Sequence, residues 1–213
     1  SSLVDRLTDA QVGQSGSTGT VGFGFKTNQA NLSLELGGSR KSIDEKGGDT
    51  LGDAAMLLDT AYAWQSVSVF AGHHNIGANY TSLSSNVTSG IRESFVGANW
   101  TVTPSITYGN RIGRSDTRPA DLQGNVGDLT QTDSLINQLS YSVTQIPGLN
   151  VSLQDTRNWT EFQEINTRNT STQLSTFYSN QHYSGGITFA NGRQRSSNAP
   201  ESNSTTDSAD FNI

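Results

Sequence analysis

Strict period-two alternation, carried by paired runs that meet at short polar turns, constrains this chain more than any other feature. Val21, Phe23 and Phe25 share one face of residues 19–27; beyond Asn28-Gln29, Leu32, Leu34 and Leu36 do likewise, with Ser33 and Glu35 opposite. Leu58, Thr60, Tyr62 and Trp64 climb to a turn near Gln65, and Val67, Val69 and Ala71 descend from it against Ser66 and Ser68. Val96, Ala98 and Trp100 lead into Thr101 to Pro104, and Ile106, Tyr108 and Ile112 lead away. Leu139, Tyr141 and Val143 precede Gln145-Ile146-Pro147-Gly148, after which Leu149, Val151 and Leu153 alternate with Asn150, Ser152 and Gln154. Leu174, Thr176 and Tyr178, the turn Asn180 to His182, and then Tyr183, Ile187 and Phe189 complete the series. Successive side chains of a strand point to opposite faces, whereas a helix groups residues three and four apart. These runs therefore read as strands with one apolar and one polar face.

The short turns centre near residues 28, 65, 102, 146 and 181, so each unit holds two strands and two connections. The other connections, near 42–54, 81–88, 116–132, 161–168 and 196–208, are longer and hydrophilic. Ten strands follow, and Ala209 to Ile213 begins an eleventh. Residues 1–17 are set apart as an N-terminal extension, and 18–213 as the sheet. Solenoids also repeat every ~20–50 residues, but they stack short coils. Here the repeated unit is a hairpin with unequal ends.

Composition agrees and removes other classes. Ser, Thr, Asn and Gly make up 93 of 213 residues, while hydrophobic residues reach 32% and charged residues 15%. Those four residue types are poor helix formers. A soluble α/β enzyme carries about 45–50% apolar and about 25% charged residues. Disordered tails are equally poor in apolar residues but hold fewer aromatics than Phe 8, Tyr 6 and Trp 3. A net charge of −6 argues against nucleic acid, whose phosphates need clustered Lys and Arg. With no cysteine, disulfides, zinc-thiolate sites, iron–sulfur clusters and cysteine catalysis are excluded. No run of ~18 apolar residues exists to form a transmembrane helix. Ser1-Ser2-Leu3-Val4-Asp5 lacks the pattern of a signal peptide, as expected for a cytosolic chain or one numbered after processing.

The alternation, the unequal connections and the aromatic placement together resemble a bacterial outer-membrane β-barrel, over about residues 18–213. The resemblance implies an antiparallel up-and-down transmembrane β-barrel of about ten or more strands, in the bacterial outer membrane. It also implies that the lipid bilayer is the principal partner, with other outer-membrane or periplasmic components beside it. Such a barrel faces lipid outward and water inward, which accounts for the low overall hydrophobicity. The lipid-facing candidates are Leu32, Leu34, Leu36, Val67, Val69, Leu149, Val151 and Leu153. The lumen-facing candidates are Ser33, Glu35, Asp59, Ser66, Ser68, Asn150, Ser152 and Gln154. Asp155 continues the face of Leu149, Val151 and Leu153, and fits only above the membrane. Phe23, Phe25, Tyr62, Trp64, Trp100, Tyr141, Phe177, Tyr178 and Tyr183 bunch near the short turns. Phe70, Tyr80, Phe95, Trp159 and Phe162 sit nearer the long connections, and two such belts suit two lipid–water interfaces. Barrels of this kind usually end on a strand with a terminal aromatic. Phe211-Asn212-Ile213 stops just inside a strand, so a portion of a larger barrel is expected.

No cofactor, metal site or catalytic residue is expected. Thirteen carboxylates lie in or beside the long connections, and Asp121 to Asp128 could wrap a divalent cation, but without the twelve-residue calcium pattern. Solvated loop charge is the simpler account. His73 and His74 are neighbours on a strand and point to opposite faces, His182 sits at a turn, and no Asp–His pairing occurs at short range. Glu35, Asp59, Arg92, Glu93, Arg111 and Arg157 are strand charges that could set ion preference or brace the wall by pairing. Eight Asn-x-Ser/Thr triplets, at Asn31, Asn79, Asn86, Asn99, Asn150, Asn158, Asn169 and Asn203, follow from the richness in Asn, Ser and Thr. Gly37 to Ser42 lacks the spacing of a phosphate loop. The function expected is a porin-like channel, or a sheath or conduit around another component. The alternative is a soluble extracellular β-sandwich or fibre domain binding glycans or a receptor, with the eight apolar candidates in a packed core. A membrane hydrolase using His73, His74 or His182 is the third reading.

Overall fold

The computed structural model describes residues 2–6, 13–44, 50–80, 89–120, 125–197 and 203–212. The strands are β1 (Ser2–Arg6), β2 (Gly13–Lys26), β3 (Ala30–Asp44), β4 (Thr50–Trp64), β5 (Val67–Ile76) and β6 (Ile91–Thr103). They continue as β7 (Ile106–Thr117), β8 (Thr130–Ser142), β9 (Leu149–Phe162), β10 (Ile165–Ser179), β11 (Ser184–Ser196) and β12 (Ser204–Asn212). All twelve belong to one sheet in which spatial order follows chain order, from β1 to β12. Each registered pair is antiparallel. The topology is up-and-down and all-β. Two compact units are present: residues 1–60, 71–94 and 115–130 form one, and residues 61–70, 95–114 and 131–213 form the other.

Several expectations need correcting. Ten strands and the start of an eleventh were too few, and β1 with the first residues of β2 occupies the stretch set apart as an extension. The strands also run past their apolar residues: β10 has 15 residues and β9 has 14, against about 5–6 for a typical strand. Their outer halves are polar on both faces, so apolar alternation gave no sign of them. The connection expected over 161–168 is consequently a two-residue turn, Gln163-Glu164, with φ of 46° and 67°. Paired positive φ values match the twist of flanking strands. Loop length is therefore not unequal at every hairpin. The turn placed at Thr101 to Pro104 lies at Pro104-Ser105, and Ser66 is a turn residue beside Gln65 rather than part of a strand face.

The remaining short turns close as their residues dictate. Thr27 donates its N–H to the Ala30 carbonyl at 2.7 Å, spanning Asn28-Gln29. The Asn180 side-chain oxygen accepts the N–H groups of His182 and Tyr183 at 2.8 and 2.7 Å, an Asx arrangement that turns the chain. Gly148 has φ of 89°, and a Cβ there would collide with the Ser179 carbonyl, so only glycine fits.

Little is buried. Among the described residues, Ala55, Ile76 and Tyr80 are the buried hydrophobics, with Leu57 packed against them. The β-sandwich alternative requires its eight apolar candidates in a packed core. None of them is buried: Leu36 is 49% exposed, Val69 46% and Leu153 42%. That alternative does not fit the structure.

Candidate functional site

Strands β9 to β12 lie in register, so their side chains form rows across the sheet. One face reads Ser152–Ser175–Thr188–Asp210, then Gln154–Gln173–Ala190–Ser208, Thr156–Ser171–Gly192–Thr206 and Asn158–Asn169–Gln194–Ser204. Hydroxyls and amides therefore line that face from one end to the other. They bond to one another: Ser175 and Thr188 hydroxyls are 3.0 Å apart, and Gln154 Nε2 donates to Thr156 Oγ1 at 3.2 Å. Ser142 Oγ donates to Asn150 Oδ1 at 2.7 Å. Asn150, Ser152 and Gln154 thus share one polar face, with Phe177, in the row of Asn150 and Gly186, and the Phe162–Ile165 pair at the far end as its large apolar residues.

The opposite face changes character along its length. Leu149–Tyr178, Val151–Thr176–Ile187 and Leu153–Leu174–Phe189 make three mostly apolar rows beside the short turns. The next row, Asp155–Thr172–Asn191–Asp207, is polar and internally bonded. Thr172 Oγ1 donates to Asp155 Oδ1 at 3.3 Å, Arg157 Nε to Asp155 Oδ2 at 2.9 Å, and Asn191 Nδ2 to Asp207 Oδ1 at 2.6 Å. Asp155, which broke the apolar face in the sequence, marks its upper edge. The hairpin of β2 and β3 has the same two-faced plan: Val21–Leu36, Phe23–Leu34 and Phe25–Leu32 on one side, Gly22–Glu35 and Gly24–Ser33 on the other.

Charges converge across strands in the first unit. His74 Nε2 lies 3.0 Å from Asp59 Oδ1, and His74 Nδ1 lies 3.8 Å from Glu93 Oε2. The Asp–His pairing that short sequence range did not show is thus made between β4 and β5, 15 residues apart. His73, pointing the other way, shares a 2.8 Å hydrogen bond with Ser94 Oγ. His182 contributes only a turn N–H and an edge-on ring contact with Tyr183, 6.3 Å between centroids. These three histidines do not assemble around one nucleophile. Among the described residues, no three His, Asp or Glu are disposed to hold a metal ion. The Asp121 to Gly124 portion of the acidic loop lies outside the described residues.

In the same unit the chain leaving β5 turns back over β3 and β4. Asn79 donates its N–H to Asp53 Oδ2 at 3.0 Å, and the Gly77 carbonyl accepts from Tyr80 and Gly90 at 3.1 and 3.0 Å. Tyr80 is buried, its ring lying so close to Gly37 that a Cβ there would strike the phenol oxygen. In the second unit, Phe70 and Phe95 rings pack at 6.3 Å, Arg111 sits 4.1 Å over Phe95, and Gly97 leaves room for Phe70. Tyr80, Phe70 and Phe95 are therefore packing residues, and the second aromatic belt is not formed by them. Bare glycine backbone accepts a ring, which residue type alone did not reveal.

No family model and no curated protein sequence matches the chain. Among solved structures it resembles an outer-membrane channel from Pseudomonas putida F1, with 11% identity and a TM-score of 0.40, over 96% of this chain and 84% of that one. It also resembles OccAB4 from Acinetobacter baumannii, with 12% identity and a TM-score of 0.41, over 98% of this chain and 66% of that one.

Proposed function

We propose that the β1 to β12 sheet forms the wall, or part of the wall, of a porin-like outer-membrane β-barrel, a non-catalytic channel whose polar face lines water. One observation carries this reading: the rows of β9 to β12 rich in Ser, Thr, Asn and Gln, backed by apolar rows that are not buried. A soluble sheet hides its apolar face against a second layer; a membrane barrel turns it to lipid and keeps the polar face wet. Strands of 12 to 15 residues, as in β2 to β4 and β6 to β11, exceed the ~9–11 needed to cross a bilayer at a tilt. Ser33, Glu35, Asp59, Ser68, Asn150, Ser152 and Gln154 then face the lumen. Leu32, Leu34, Leu36, Val67, Val69, Leu149, Val151 and Leu153 face lipid. Edge N–H and C=O groups have no water inside a bilayer, so β1 and β12 must each find a partner strand, in this chain or another.

Cysteines at positions 151 and 152 test the reading in reconstituted vesicles. The expected result is labelling of 151 by a lipid-phase reagent and of 152 by an aqueous one, with stepwise conductance in planar bilayers. Reversed labelling, or a monodisperse protein without detergent, overturns it.

A further inference from the structure

Beyond the three apolar rows of β9 to β11, the same face carries four arginines in two successive rows. Arg157, Thr170 and Arg193 form the first, and Trp159, Arg168 and Arg195 the second. All four are exposed. Arg157 is held by Asp155 at 2.9 Å, and Arg168 stacks over the Trp159 ring at 5.6 Å. Arg168 and Arg195 are direct cross-strand partners. Like charges directly opposite one another are destabilising in a sheet, unless an anion lies between them. Among the described residues no carboxylate pairs with Arg168, Arg193 or Arg195.

Their height on the sheet identifies the anion. The row Asp155–Thr172–Asn191–Asp207 closes the apolar face and stands at its lipid–water boundary. Trp159 lies four residues beyond Asp155, about 14 Å along the strand at ~3.4 Å per residue. With a tilt of ~35–45° the two arginine rows stand about 5 and 10 Å outside the apolar band and span the head-group layer. Tryptophan favours that level, and arginine forks match phosphate oxygens two at a time. The end beside Leu149 has turns of two to six residues at every hairpin, whereas the arginine end joins β5 to β6 through 14 residues and β7 to β8 through 12; the longer connections of such barrels are extracellular, so this boundary belongs to the outer leaflet.

We propose that Arg168, Arg193 and Arg195 form a docking surface for the phosphate monoester head groups of outer-leaflet lipid. The inference rests on the channel reading above, which places this face in lipid. Phosphate oxygens bridging Arg168 and Arg195 relieve their repulsion, and Arg193, one row deeper, reaches up to the same group along its flexible stem.

The test uses the protein in nanodiscs of phosphatidylcholine containing a minor share of phosphatidic acid, released into native mass spectrometry. Wild type retains phosphatidic acid, and the triple variant R168Q/R193Q/R195Q loses about tenfold or more of that retention, the effect of roughly one charge-assisted contact. R114Q, whose guanidinium is already held by Asp133 at 2.8 Å, retains lipid like wild type. Equal retention in wild type and the triple variant overturns the proposal, and so does complete displacement by inorganic phosphate, which would mark a site for free anion. A cysteine at position 153, labelled in the same nanodiscs, separates the two readings. Lipid-phase labelling without lipid retention sinks this inference alone, whereas water-phase labelling sinks the channel reading with it.

Discussion

Leu153→Arg sets the two faces of the wall against each other. Leu153 sits in the row Leu153–Leu174–Phe189 and is 42% exposed. It lies two residues, about 7 Å of strand, below Asp155, which closes the apolar face, so a tilted strand puts it roughly 5 Å inside the lipid–water boundary. An arginine facing lipid costs ~2–4 kcal/mol at the bilayer midplane and ~0–1 kcal/mol near the interface. At this depth, with Asp155 as a partner for the new guanidinium, a cost of ~1–2 kcal/mol is expected. At ~1.4 kcal/mol per decade, that shifts the folded-to-unfolded ratio roughly 5- to 30-fold. Gln154→Arg is the matched control, in the polar row Gln154–Gln173–Ala190–Ser208, where substitution changes stability by about ±0.5 kcal/mol. Urea unfolding in vesicles, followed by tryptophan fluorescence and by heat-dependent gel mobility, measures both. Equal costs at the two positions, or a larger cost at 154, would refute the assignment of faces.

Three further outcomes are expected. Asp59→Asn lowers the preference for cations, read as a shift in reversal potential across a salt gradient; about fivefold follows from removing ~1 kcal/mol of attraction by one unit charge at 4 Å in water, and no shift would place Asp59 outside the ion path. Gly37→Ala drives a methyl into the Tyr80 phenol and destabilises by ~1–3 kcal/mol in thermal melts, and Tyr80→Phe added to it restores part of the loss; no rescue would mean that the strand, not the ring, is strained. Gln163→Asn with Glu164→Gly relieves two left-handed residues and strengthens the hairpin of β9 and β10 by about 0.5–1 kcal/mol, seen as slower amide exchange at Phe162 and Ile165; faster exchange there would count against the turn geometry.

The sequence disclosed whatever depended on one strand or one turn. Leu149, Val151 and Leu153 alternate with Asn150, Ser152 and Gln154 because neighbouring side chains must diverge, and the structure keeps that register intact. Asn180 announced its turn through the chemistry of its own side chain. Features made between strands were hidden. Asp59, His74 and Glu93 are brought together only by β4, β5 and β6 lying side by side, and nothing local marks the partnership. The Gln163-Glu164 turn lacks the Asn, Gly or Pro that usually reveals one. The polar outer halves of the strands carry no apolar period, so Arg168 passed for loop. Glycine was hardest to read, because Gly37 and Gly97 matter through the rings laid against them.

The rows of β9 to β12 also bear on when such a chain acquires an apolar surface. Every apolar side chain on the banded face is followed by a hydroxyl, an amide or a small residue. One of these strands alone therefore offers no continuous apolar segment. Half of its side chains gather on a common face only when neighbouring strands zip together, so in the channel proposed above the polymer becomes lipid-soluble by assembling. Its amphipathic character is created by pairing, and the order of assembly is written into the sheet.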